Sequence, residues 1–211
     1  MQLDVIADAI CPWCYIGHKQ LDRALRQRPF AGLTLRWRPF MLDPSIPPEG
    51  IDRKTYNGSR FGSDEMLSRG TPQAIAIGAK EGIQFAFEKI ARIPNTLDAH
   101  RLVRWAQEEG KAGAVMGRLH QAYFEAGIDI GDRTQLARIA RAAGLDDEAV
   151  AEKLDSETDV TVIIEEDQAV RSLGINGVPC ILVDGKYALM GAQEPANLIA
   201  VIERILAHDA P

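Results

Sequence analysis

The apolar positions change period twice near the start of the chain. "LDVIADA" (residues 3–9) is a short run of buried-strand type. "CYIGHKQLDRALRQR" then places Gly17, Leu21, Ala24 and Leu25 on one face at helical spacing. Pro12 fits the first turn of that helix, where a missing N–H costs nothing, and Pro29 ends it. "LTLRWRPF" alternates Leu33, Leu35 and Trp37 against Thr34, Arg36 and Arg38, which predicts a half-buried strand.

Residues 41–57 lose this periodicity and are rich in Pro, Gly and Asp, so they read as a connection. Helical patterns follow. One is predicted to open at Thr71-Pro72 and end near Gly82. A second opens at Asn95 or Thr96 and closes at Gly110, and a third over 113–126 buries Met116, Leu119 and Tyr123. Asp132 and Gln135 resemble a capping box ahead of Leu136, Ile139, Ala140 and Ala143, with Gly144 as the stop. Asp146 caps the next helix, with Leu145 placed to staple Val150. A further helix over 158–173 ends at Gly174. "VPCILVDGKYALMG" then reads as two strands about an Asp184-Gly185 turn, and "EPANLIAVIERILAHD" as a closing helix. The prediction is an α/β chain: residues 1–40 and 158–211 form one small α/β domain, and residues 41–157 are an all-helical insertion.

Composition narrows the function. A chain that is 46% hydrophobic and 26% charged is that of a folded protein. A net charge of -6 disfavours nucleic acid or anionic membrane as the main partner. No apolar run approaches the ~20 residues of a membrane span. "MQLDVIADAI" lacks a basic n-region, so the chain is expected to be cytoplasmic. The Asn57-Gly58-Ser59 glycosylation pattern then has no meaning.

Three cysteines are present, Cys11, Cys14 and Cys180. That is too few for a disulfide scaffold, and a cytosolic C-x-x-C is more often catalytic or metal-binding than structural. Cys11 falls at a helix N-terminus, where free N–H groups and the dipole favour a thiolate. Cys14, one turn on, is spaced to attack a mixed disulfide on Cys11. A closed zinc site wants four ligands, and no second C-x-x-C or C-x-x-H supplies them. The expectation is therefore no metal, and no cofactor beyond a redox-active Cys11–Cys14 disulfide.

"CPWCYIG", "NTLDAHRL", "AYFEAGIDIGD" and "GVP…DGKYALMGAQ" resemble, in order and over nearly the whole chain, thioredoxin-fold oxidoreductases of the DsbA family. They are most similar to its FrnE-like branch, related to 2-hydroxychromene-2-carboxylate isomerases and kappa-class glutathione transferases. The resemblance implies a thioredoxin fold with a helical insertion. It implies dithiol–disulfide exchange with Cys11 as nucleophile and Cys14 as resolving thiol, on thiol or disulfide substrates and with a reducing or oxidising partner. It also implies a cis Val178–Pro179 bond with Pro179 beside Cys11 and the Val178 backbone free to pair with substrate; Pro12 and Trp13, between the two thiols, are expected to bind substrate with them. The isomerase and transferase relatives carry Ser in place of the first Cys, so Cys11 favours dithiol chemistry; glutathione stays open as a co-substrate. The alternatives are a glutathione-dependent transferase or isomerase, and a redox-regulated chaperone or metal-binding module. Cys180 departs from the family's larger apolar residue, and Met190 from its small polar one.

Other residues carry two readings. Asp8 either assists proton transfer from Cys14 and tunes a thiol by like charge, or is a solvated or capping carboxylate. Trp13 is expected to be exposed, with partial core packing as the alternative, and His18 to lie on the surface. Asn95 is expected to cap its helix, Trp105 to be core, and Asp98 and His100 to line a cleft or serve the helix start. Gly191, Ala192 and Gln193 are candidates for the rim of the site. Strand alternation turns Cys180 away from Cys11 as a buried, inert thiol.

Overall fold

A computed structural model describes residues 1–61 and 65–208; side chains of residues 60–71 are not described. A four-stranded sheet is assembled from both ends of the chain. Its strands are β1 (Gln2–Ala7), β2 (Thr34–Pro39), β5 (Cys180–Val183) and β6 (Tyr187–Met190), in the order β2-β1-β5-β6. β1 pairs parallel to β2 and antiparallel to β5, and β5 pairs antiparallel to β6. Between β2 and β5 run a short ladder of β3 (Ile51–Asp52) with β4 (Arg92–Ile93), and helices α2 (Arg53–Phe61), α3 (Glu65–Lys80), α4 (Leu97–Glu108), α5 (Ala112–Ala126), α6 (Arg133–Ala142), α7 (Asp147–Leu154) and α8 (Val160–Ser172). α1 (Pro12–Gln27) and α9 (Pro195–His208) complete the α-helices among the described residues. The last residue of the expected closing helix, Asp209, lies outside them.

Strand alternation divides the core. Leu3, Val5, Ala7, Ile181 and Val183 face α1 and α9 and join a large cluster that continues into α4–α7. Ile6, Cys180 and Leu182 face the other way, onto Val170 of α8, Phe40 and Ile175. The hairpin turn forms at Asp184 and Gly185, whose φ values of 47° and 70° explain the Asp-Gly pair.

Several expectations change. Leu35 is 37% exposed on edge strand β2, where only Trp37 and Pro39 are buried. Arg36, expected outward, is half-buried against Glu166 at 3.2 Å. The connection over 41–57 is helical from Arg53: Asp52 accepts from Thr55 N at 2.9 Å and starts α2. α3 begins at Glu65 rather than Thr71 and runs through Pro72, whose ring removes one N–H without ending the helix. At α4 Thr96 occupies the cap position, but Asn95 supplies the side-chain oxygen, 2.9 Å from Leu97 N. Asp132 and Asp146 cap α6 and α7 as expected.

Arg101, also in "NTLDAHRL", has no exposed side-chain surface. It donates to the carbonyls of Thr158, Lys153 and Ser156 at 2.7, 2.6 and 2.7 Å and to Asp98 at 2.6 Å. One guanidinium thereby ties α4 to the turn between α7 and α8, a task its five fixed donors suit.

Candidate active site

Cys11 is the N-cap of α1, with φ −94° and ψ 114°. An extended residue followed by Pro12 at the first helical position is what the sequence C-P dictates. The cap geometry points the Cys11 thiol at the helix start, where Sγ accepts from Cys14 N at 3.3 Å. The same Sγ donates to the carbonyl of Val178, a residue near the far end of the chain, at 3.7 Å. The Val178–Pro179 bond is cis. The Pro179 ring sits over Gly17, where any Cβ comes within 3.1 Å of Pro179 Cγ. Gly17 thus lets the loop approach α1, and the Pro179 carbonyl accepts from Gly191 N at 2.7 Å.

Cys11, Cys14 and Cys180 are all free thiols. Cys11 and Cys14 are 4% and 1% exposed, so the two thiols differ little in burial. Burial, then the hydrogen bond and charge of Cys11, push Cys14 well above the ordinary cysteine range; a backbone hydrogen bond from Asp8 works against them, and the Asp8 carboxylate adds to the rise. Cys14 is therefore a protonated thiol near neutral pH. Burial raises Cys180 to about 11, and its side chain packs on the opposite side of the sheet from the pair.

Asp8 is fully buried and is neither solvated nor the cap of α1. Its Oδ2 accepts from Leu42 N at 2.7 Å, and its carbonyl accepts from Cys11 N at 3.2 Å. His120 Nε2 lies 3.3 Å from that same carbonyl, and His100 Nε2 lies 3.4 Å from Asp8 Oδ1. The last contact is an ion-pair distance without hydrogen-bond alignment, since both atoms lack a hydrogen-bond partner. His18, expected on the surface, is buried against Trp37 with ring centroids 4.6 Å apart. Burial lowers its pKa, against the pull of Asp22. Trp13, expected exposed, is half-buried against the main core.

The structure thus brings together Cys11, Cys14, Asp8, Val178 and Pro179, flanked by Pro12 and Trp13. Trp105 is core, and Asp98 serves Arg101 rather than the thiols. Gly191 touches the site through Pro179, and Ala192 lies beside Gly17; Gln193 Nε2 bonds back to the Met190 carbonyl at 2.7 Å. His120 carried a signal that sequence reading passed over: it continues the apolar face of Met116, Leu119 and Tyr123 at helical spacing. Among the described residues no group of three or more His, Cys, Asp or Glu is arranged to hold a metal ion, and no helix is long and apolar enough to cross a membrane.

Known proteins share this fold. A family model described as DSBA-like thioredoxin domain matches residues 2–203. The structure is similar to that of a probable DsbA oxidoreductase from Streptomyces coelicolor, at a TM-score of 0.90 and 26% identity, over 100% of this chain and 92% of that one. It shares its fold with a 2-hydroxychromene-2-carboxylate isomerase (TM-score 0.75, 18% identity, 99% and 98% covered). The same holds for the cytosolic disulfide reductase DsbM from Pseudomonas aeruginosa with GSH (TM-score 0.72, 18% identity, 98% and 100% covered). A thioredoxin-type sheet with an N-capping Cys11 and a family match over nearly its full length place one conclusion beyond the fold: the chain belongs to the DSBA-like thioredoxin domain family of thiol oxidoreductases.

Proposed function

We propose that this protein catalyses thiol–disulfide exchange through Cys11 and Cys14. The observation that carries the reading is the position of Cys11 Sγ, between the Cys14 amide at the start of α1 and the Val178 carbonyl. A substrate disulfide entering beside Val178 meets that sulfur end-on. The Cys11 thiolate attacks one substrate sulfur, forms the Cys11–substrate bond and releases the other sulfur as a thiolate. Cys14 then gives up its proton, attacks Cys11 Sγ and expels the second substrate thiolate, leaving the Cys11–Cys14 disulfide. Run in reverse, the same steps oxidise a substrate dithiol.

Asp8 is the acceptor for the Cys14 proton in this reading. Cys14 has almost no contact with water, so a buried carboxylate beside it supplies what solvent does not. Val178 and Pro179 hold an extended substrate, with Pro12 and Trp13 on the other side. The couple itself is the only cofactor in this scheme. A cytoplasmic setting fits the sparse cysteine content, and glutathione is the small thiol to try as co-substrate, since DsbM shares the fold and was solved with it. Neither nucleic acid nor membrane takes part.

The test is a redox titration against mixtures of reduced and oxidised glutathione, read by alkylation and peptide mapping. A single two-electron transition with one Cys11–Cys14 bridge supports the proposal. A stable glutathione adduct on Cys11, with Cys14 alkylated throughout, points instead to a glutathione-dependent transferase or isomerase.

A further inference from the structure

The intervening helices bring a histidine against the carboxylate beneath the thiol pair. His100 comes from α4 and is 3% exposed; Asp8, just past the end of β1, is fully buried. His100 Nε2 and Asp8 Oδ1 stand 3.4 Å apart, and each lacks a hydrogen-bond partner. Leaving two buried polar atoms unsatisfied is costly, and one shared proton satisfies both. Leu42 N holds the other carboxylate oxygen, which leaves Oδ1 on the side of the imidazole. The two other buried histidines beside it are engaged elsewhere: His120 Nε2 faces the Asp8 carbonyl, and His18 Nε2 faces Asp22 at 3.7 Å.

We propose that His100 is a positioning residue of the exchange reaction: it shares a proton with Asp8, and this pair takes up the Cys14 proton when Cys14 attacks the mixed disulfide. The inference rests on the dithiol reading above. In the resolving step the Cys14 S–H bond breaks and its proton passes to the Asp8–His100 pair. The sulfur's electron pair forms the bond to Cys11, and the substrate sulfur leaves with the electrons of the broken disulfide. No outside oxidant or reductant is needed. Asp8 faces Cys14 of α1, Tyr123 of α5 and the Leu42 amide; His100 lies near His120 of α5 and shares a small cavity with Arg38 of β2, Arg104 of α4 and Glu166 of α8. Among the described histidines, His100 is the one whose ring nitrogen faces the Asp8 carboxylate.

The test follows the two equivalents of thionitrobenzoate released when reduced protein reacts with 5,5′-dithiobis(2-nitrobenzoate). The first reports attack by Cys11 and the second resolution by Cys14. A glutamine at position 100 still donates to Asp8 but cannot take up a proton. In His100→Gln the first release keeps its rate, while the second slows roughly a hundredfold and its pH profile departs from that of the wild type. A second release with wild-type rate and pH profile overturns the inference and leaves the dithiol reading standing. Wild-type protein that releases one equivalent only overturns that reading and the inference with it. A measurement on the unaltered chain guards against a folding defect in the variant. Nitrogen chemical shifts of the His100 ring, followed against pH, differ between reduced and oxidised protein if the pair is linked to Cys14. Identical titrations in the two redox states overturn the proposal.

Discussion

Acidification combined with His120→Phe isolates one buried imidazole. His120 is fully enclosed, stacks on Tyr15 with centroids 5.1 Å apart, and has no partner at Nδ1. Burial, then the charges of His18, His100 and Lys19, hold its pKa well below the ordinary value, against the Asp8 carbonyl. Folded protein therefore keeps His120 neutral in mild acid, whereas the unfolded chain protonates it near pH ~6.5. Below that pH the unfolded state binds more protons, so stability falls as pH falls. Between about pH 7.5 and about pH 5.5 the cost from one such group is about 1.4 kcal/mol. Phenylalanine keeps the stack and abolishes the titration. It forfeits the contact to the Asp8 carbonyl, which retains its bond from Cys11 N, so the offset is about 1 kcal/mol at every pH. Urea unfolding of reduced wild type and variant across this range measures both terms. The variant is expected to be less stable near neutral pH and to lose that deficit by about pH 5.5, as the gap closes by about 1.4 kcal/mol. The other ionisable groups are common to both proteins and cancel in the difference. Parallel pH curves for the two proteins would refute the assignment of His120 as a buried neutral imidazole.

Three further substitutions probe the scaffold. Cys180→Ala leaves exchange within a few-fold of wild type and lowers unfolding free energy by about 1 kcal/mol, because this thiol packs against Ile6, Phe40 and Val170 rather than the redox pair; alkylation of native Cys180 at the rate of an exposed thiol would contradict this. Gly17→Ala pushes a Cβ to 3.1 Å from Pro179 Cγ; denaturant melts should show about 1–3 kcal/mol of destabilisation, and exchange assays a slower first step. Arg101→Lys keeps the charge but loses the fork that holds three carbonyls and Asp98, so thermal unfolding should reveal a loss of about 3–5 kcal/mol.

The sheet and α1 were legible because their residues obey local rules. Pro12 and Pro29 bracket the helix, Asp184-Gly185 forces the hairpin, and the short strands lie between turn signals. The start of α2 was hidden because Asp52 caps it from within a Pro- and Gly-rich stretch that reads as loop. The β3–β4 ladder pairs two residues with two others, too short to leave a period. At the site, C-x-x-C gave the thiols directly, since their spacing is itself the chemistry. The surroundings of Asp8 were not legible. Leu42, His100 and His120 reach it from separate elements, and only tertiary packing joins them. His18 was assigned to the surface, yet it turns inward against Trp37 and α5, and Trp13, expected exposed beside the thiols, takes the partial core packing that was its alternative.

The division of labour between the two thiols is tested most directly by mass spectrometry of acid-quenched Cys14→Ser protein after reaction with a disulfide-bonded peptide. Cys11 attacks without a partner to resolve it, so the peptide should accumulate as a mixed disulfide on Cys11 while turnover stops. Full turnover with no adduct, or an adduct on Cys180, would contradict the account.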